Sequence, residues 1–149
     1  MSDTLCNEKK KPYTFSEDGN SCIITETRTP RYWYNYLWNE NHYCAQISQT
    51  GHGRSYYLSE KADMCMMNQD DARYLRDEKS KECWNIGEGP LNTEVENYQC
   101  VHSIGSSRIQ SSYQNIASSW RLFVPEEGYQ EVWTLKIKNT GESQRHLSI

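Results

Sequence analysis

Residues Gln46–Leu58 read QISQTGHGRSYYL, two runs of alternating bulky and polar residues on either side of TGHG. Two readings compete for the glycines. Backbone N–H groups from Gly51 to Arg54 could form an anion nest with Arg54 as counter-charge. A phosphate-gripping loop is specific, however, only when it joins a strand to a helix and closes on Lys-Ser/Thr, and this stretch offers neither. Glycine also supplies the positive φ that a hairpin turn demands. The hairpin is therefore the better reading. Tyr43, Ala45 and Ile47 then share one face of the first strand, and Arg54, Tyr56 and Leu58 share a face of the second.

The same grammar recurs through the chain. ARYLRD and ECWNI flank the polar EKSK, which predicts a hairpin around residues 77–81. Ile116, Ser118, Trp120, Leu122 and Val124 fall on one face of a run that Pro125 ends, since proline cannot donate to a sheet ladder. Trp133, Leu135 and Ile137 alternate with Thr134, Lys136 and Lys138, and NTGES makes the next turn. Helical periodicity is almost absent. The fold class expected is all-β, an antiparallel β-sandwich. Residues 1–20 read as a loose polar lead-in and residues 21–149 as the front part of a sandwich domain. The chain reaches Ile149 part-way into what the pattern makes a new strand, so the sandwich is expected to be incomplete at its C-terminus and to continue beyond.

Composition removes several functional classes. Twenty acidic against sixteen basic residues give a net charge of -4, and no basic stripe extends past Lys9–Lys11, which argues against a nucleic-acid partner. The start MSDTLCNEKKKPY lacks the apolar core of a secretory signal, and no stretch approaches the roughly 18 apolar residues of a membrane span. The expectation is a cytoplasmic protein without a membrane partner. Six cysteines with no C-x-x-C pair then read as reduced thiols.

Local chemistry is thin. His42 with Cys44, and Cys100 with His102, are i, i+2 pairs that could together hold zinc if their strands were neighbours. Structural zinc sites take ligands from tight turns instead, so packed cysteines and rim histidines are expected, with no metal. Carboxylates cluster at Asp70-Asp71, Asp77-Glu78, Glu94 with Glu96, and Glu126-Glu127, all in turn-like sequence expected to be solvated rather than in the dry pocket a catalytic acid needs. The densest feature is RYWYNYLWNENHY, Arg31 to Tyr43. Its rings could stack on the C–H faces of sugars or wall a core, with Trp33 and Trp38 expected on the buried side. Trp33, Tyr36 and Trp38 are the candidate saccharide-binding residues, and no catalytic residue can be named.

Taken in order, TPRYWYNYLWNENHYCAQISQTGHGRSYY, RYLRDEKSKECWNIG, YQCVHSIGSSRI and FVPEEGYQEVWTLKIKNTGESQRHLSI resemble successive blocks of the N-terminal sandwich of glycoside hydrolase family 94, the inverting β-glycoside phosphorylases. The resemblance runs over roughly Thr27 to Ile149. Its matching positions are Trp33, Asn35 and Leu37; Gly51, Gly53 and Ser55; Arg76, Asp77 and Trp84; and Cys100, His102 and Gly105. Tyr32 departs from the family's usual second proline, and Ser106-Ser107 from its usual Tyr-Thr. The resemblance implies a galactose-mutarotase-like β-supersandwich that precedes an (α/α)6 catalytic barrel, a homodimeric full-length enzyme, and a β-linked saccharide as substrate. Inorganic phosphate serves there as co-substrate, with no other cofactor, and the glycosyl transfer yields an α-sugar 1-phosphate. The general acid and phosphate ligands belong to the barrel, so this chain is expected to be inactive alone. A stand-alone carbohydrate-binding sandwich is the alternative.

Overall fold

A computed structural model describes residues 11–58, 63–68, 74–87 and 91–149, with residues 63–68 described by backbone alone. Cys6, Cys65, Asp70 and Asp71 among the residues discussed above lie outside the described side chains. Thirteen strands and no helix are found among the described residues.

The chain begins in a six-stranded sheet. β1 (Tyr13–Phe15) and β2 (Ser21–Ile24) open it, and β9 (Glu96–Ser103), β10 (Ser106–Tyr113), β11 (Ile116–Phe123) and β12 (Val132–Asn139) complete it in the order β1-β2-β9-β10-β11-β12. Between β2 and β9 the chain builds a four-stranded meander, β3 (Tyr34–Trp38), β4 (Tyr43–Ser48), β5 (Gly53–Leu58) and β6 (Asp63–Asn68). A small third sheet orders β13 (Leu147–Ser148), β7 (Tyr74–Asp77) and β8 (Cys83–Asn85). Every pairing is antiparallel.

The expected strands and faces are present. Ile116, Ser118, Trp120 and Leu122 are buried along β11, and Trp133 and Leu135 of β12 pack against the same core. That core draws Ile24, Leu37, Tyr43, Ala45, Ile47, Leu75, Trp84, Ile109 and Leu122 from all three sheets into one cluster. Gly51 marks how closely the layers approach, because a Cβ there would lie 2.6 Å from the Trp120 ring. Trp120 in turn stacks on Trp133, with centroids 4.2 Å apart.

One expectation of the fold needs correction, and two details go beyond the sequence pattern. The lead-in is not loose throughout: Tyr13–Phe15 pairs with Cys22–Ile24, because Tyr13 finds Trp33 edge-on at 5.3 Å and packs on the core. The final residues do enter a new strand, as the pattern predicts, and it is already paired, Leu147 with Asp77 and Ser148 with Arg76. The β10–β11 hairpin also turns without glycine, through Gln114 and Asn115, both at positive φ.

Candidate functional site

β3 decides what the aromatic run does, because its side chains alternate between two environments. Leu37 and Asn39 are buried, and Trp33 and Asn35 are half-buried toward the six-stranded sheet. Tyr32, Tyr34, Tyr36 and Trp38 point the other way and are exposed. Trp38, expected inside, is 72% exposed, and Tyr36 is 58% exposed. Parity fixes which residues travel together; the polar partners decide which set goes in.

Those partners are amides. Asn35 Nδ2 donates to the Ser103 carbonyl at 2.9 Å and to Ser107 Oγ at 3.1 Å, gripping the β9–β10 turn. Asn39 Nδ2 donates to the Pro125 and Gly128 carbonyls at 2.9 and 2.8 Å, while its Oδ1 accepts from Asn41 and Tyr43 backbone N–H groups. Each amide NH2 serves two acceptors at once, which a single phenol O–H or indole N–H could not do, so the asparagines take the interior and the rings turn outward.

On the outer face, Tyr32 meets Tyr34 edge-on at 6.1 Å and the His52 ring at 5.2 Å, and Gln46 Nε2 donates to Tyr36 Oη at 3.2 Å. β3 is an edge strand of its sheet, and among the described residues no strand pairs along its outer side. Of the three candidate residues, the structure groups Tyr36 with Trp38 on the outer face and sends Trp33 to the inner side.

TGHG is a hairpin tip. Ser48 N–H donates to the His52 carbonyl at 2.7 Å, Gly51 N–H returns to the Ser48 carbonyl at 3.1 Å, and Ser48 Oγ accepts from His52 N–H at 3.0 Å. Gly51 sits at φ +93, and a Cβ on Gly53 would lie 1.8 Å from the Gln46 carbonyl oxygen. Both glycines are thus required by backbone geometry. Gly53 and Ser55 face inward on β5, opposite Arg54, which is exposed.

Gln49, which the sequence did not flag, holds the adjoining loop. It is 1% exposed, and its backbone N–H donates to the Trp33 carbonyl while its side-chain Oε1 accepts from Trp33 N–H at 2.9 Å. Its Nε2 donates to the Thr27 carbonyl at 3.2 Å and to Thr29 Oγ1 at 2.7 Å, and its own carbonyl accepts from Tyr98 Oη. Thr29 Oγ1 donates onward to the Arg31 carbonyl at 2.6 Å. One buried amide therefore pins the segment from Thr27 to Trp33.

His102 is structural. The Trp33 carbonyl can only accept, so the 3.1 Å contact makes His102 Nε2 the protonated nitrogen. Nδ1 then accepts from Ser107 Oγ at 2.9 Å, and Asn35 donates to the same hydroxyl. Burial lowers the imidazole pKa, with the Trp33 carbonyl opposing the shift. His42 sits in a turn at φ 63, and β4 and β9 lie in different sheets, so the two Cys/His pairs are not brought together. Among the described residues no group of three or more His, Cys, Asp or Glu could hold a metal ion. Cys22, Cys44, Cys83 and Cys100 are free thiols, and burial raises the pKa of Cys22, Cys44 and Cys100.

Asp77 overturns its expectation of a solvated turn. It is 2% exposed and, among the described residues, the only buried carboxylate. Oδ1 accepts the N–H groups of Lys79 and Ser80 at 2.7 and 2.8 Å, and Oδ2 accepts from Arg145 Nε at 2.5 Å. The Ser80 N–H, followed by Arg145, holds its pKa at about 2. Such a carboxylate stays ionised and tied down, which suits a turn anchor rather than a general acid. Glu94, Glu96, Glu126 and Glu127 are exposed. No helix among the described residues is long and apolar enough to cross a membrane.

Residues 20–149 match the family model described as glycosyl hydrolase 94, supersandwich domain. The chain is 41% identical over 135 residues to a 3-O-β-D-glucopyranosyl-β-D-glucuronide phosphorylase of Paenibacillus borealis, covering 91% of this chain and 17% of that protein. It is 30% identical to a solabiose phosphorylase of the same organism (91% of this chain, 19% of that protein). It is 31% identical to an N,N'-diacetylchitobiose phosphorylase of Vibrio proteolyticus (90% and 18%). The chain thus spans under a fifth of the length of these curated relatives.

Proposed function

The chain belongs to the glycosyl hydrolase 94 supersandwich family, and from that membership we propose that it is the non-catalytic sandwich portion of an inverting β-glycoside phosphorylase. The observation that carries the reading is the family match over residues 20–149, joined to relatives that are phosphorylases about five times longer. In the whole enzyme, phosphate would attack the anomeric carbon of a β-linked saccharide and a carboxylic acid outside this chain would protonate the leaving oxygen, giving an α-sugar 1-phosphate. Asp77 is committed to Arg145 and the 77–80 turn, which leaves the sandwich a scaffold and docking role. The outer rings of β3 supply a surface for the catalytic barrel or a second subunit. The 41% identical relative puts a uronate-bearing β-glucoside among the candidate substrates.

The test is the polypeptide encoded by the complete reading frame, assayed for phosphate-dependent release of sugar 1-phosphate from β-linked disaccharides, beside residues 1–149 alone. Activity in the first and none in the second is expected. Phosphorolysis by the 149-residue chain unaided would overturn the assignment. The second reading, a carbohydrate-binding sandwich, is favoured by the exposure of Tyr36 and Trp38. Calorimetry with cellobiose and laminaribiose decides it: heat that disappears in Trp38→Ala supports it, and no heat from the folded chain ends it.

A further inference from the structure

Beside the β4–β5 hairpin tip lies a cleft of about 350 Å³, formed by the Thr27–Tyr32 segment, Gln49, Thr50, His52 and Asn92. We propose that this cleft binds the carboxylate and ring of a uronosyl residue in a saccharide. The inference rests on the reading above for the saccharide class, and not on phosphorolysis itself.

The cleft is pre-formed. Gln49 fixes Thr27, Thr29 and Trp33 through the bonds already described, and Thr29 Oγ1 fixes the Arg31 carbonyl. The loop that presents Arg31 therefore costs little to order when ligand arrives. Arg28, also in the lining, already has an interaction partner, whereas the exposed Arg31 has no ion-pair partner among the described residues. None of the described residues lining the cleft is acidic, in a chain whose net charge is -4. The described lining is thus basic in an acidic chain, with the carboxylates of Glu26 and Glu94 set in the adjoining cleft that shares Thr27 and Arg28.

The ligand is read from the rest of the wall. A planar guanidinium can take a carboxylate through two parallel N–H donors. Tyr32 is 51% exposed, and its ring is steadied by His52 at 5.2 Å, giving a flat apolar face of the kind that packs on sugar C–H groups. Thr50 and Asn92 add short polar side chains for hydroxyls. One available guanidinium matches a monoanion on a neutral ring. An inorganic phosphate dianion would find fewer donors than its three equivalent oxygens can use.

The experiment is an amide-resolved NMR titration of the 149-residue chain at constant ionic strength with methyl β-D-glucuronide, methyl β-D-glucoside and inorganic phosphate. Saturable shifts confined to residues 27–32, 49–52 and 92 are expected with the glucuronide, with affinity for the glucoside about tenfold weaker because the charge-assisted pair is missing. Arg31→Gln should remove that difference, Arg31→Lys should keep part of it, and Arg108→Gln, on the far sheet, should change nothing. Equal binding of glucoside, equal or tighter binding of phosphate at the same residues, an unchanged Arg31→Gln, or no saturable shift in any arm would each overturn the proposal. None of these readouts requires turnover, so the phosphorylase reading stands or falls separately.

Discussion

Replacing Gly53 by alanine puts the hairpin reading under the most direct strain. The added Cβ would lie 1.8 Å from the Gln46 carbonyl oxygen and 2.8 Å from its carbon, both backbone atoms of the paired strand. No side chain can swing aside, so β5 must move off β4 near the Gln46–Arg54 and Ile47–Gly53 pairs. Overpacking at a rigid site costs about 1–3 kcal/mol. Each ladder bond that opens adds about 1 kcal/mol, because the Gln46–Ser48 segment is too enclosed to rehydrate freely. The expected loss is about 3–5 kcal/mol, a large share of the roughly 5–15 kcal/mol that holds a domain together. Urea unfolding followed by tryptophan emission measures it: with a slope of about 2 kcal/mol per molar, the midpoint should fall by about 1.5–2.5 M. His52→Ala, in the same turn but with an outward side chain, should stay within about 0.5 kcal/mol of the parent. A Gly53→Ala protein within about 1 kcal/mol of the parent would refute the close approach and the hairpin argument built on it.

Gln49→Ala should cost about 2–3 kcal/mol, since it strands the hydrogen-bonding groups of Thr27, Thr29 and Trp33 that its side chain now serves; trypsin should then cut after Arg28 or Arg31 sooner than in the parent. Stability against pH should fall in two steps on acidification. The first begins near 6.5, the ordinary imidazole value, because unfolded His102 takes up a proton that its buried folded form resists, and His102→Gln should flatten that step. The second runs from 3.8 down to about 2, where unfolded Asp77 protonates before the folded carboxylate does, and Asp77→Asn should shrink it in a pH series of urea midpoints, leaving what Asp18 and Glu78, also lowered in the fold, contribute. Under native conditions iodoacetamide should label exposed Cys83 well ahead of buried Cys44 and Cys100, as read by peptide mass mapping; equal labelling would contradict the burial of those two thiols.

Strand parity was legible because period-two patterning needs only local sequence: the β4–β5 hairpin, the β7–β8 hairpin and the inner face of β11 all follow from it. Facing was legible where one parity is aliphatic, as with Tyr43, Ala45 and Ile47. It was not legible in β3, where asparagine alternates with aromatics and either set could go inward. The answer there depends on carbonyls of Ser103, Pro125 and Gly128, which lie far along the chain. Asp77 was misread for the same reason, its partner Arg145 being invisible to any local window. Gln49 looks like an ordinary polar residue beside a turn, and nothing local marks it as the clasp of a loop that begins more than twenty positions earlier. The Gln114–Asn115 turn lacked a glycine signal, though asparagine at positive φ is tolerated there. Family membership was legible because it rests on the order of several blocks, each of them weak alone.

The small sheet that joins β13 to β7 has a meaning for how the molecule is made. Arg145 reaches back to Asp77, and Ser148 to Glu78, so these ties cannot form until nearly the last residue of the segment has left the ribosome tunnel. During translation Asp77 must wait with its charge in water, and β7 and β8 stand as a lone two-stranded ribbon of the kind that is marginal by itself. The meander of β3 to β6 needs no such delay. Assembly of this region should therefore be vectorial, with the four-stranded sheet set early and the clasp at Asp77 closing last.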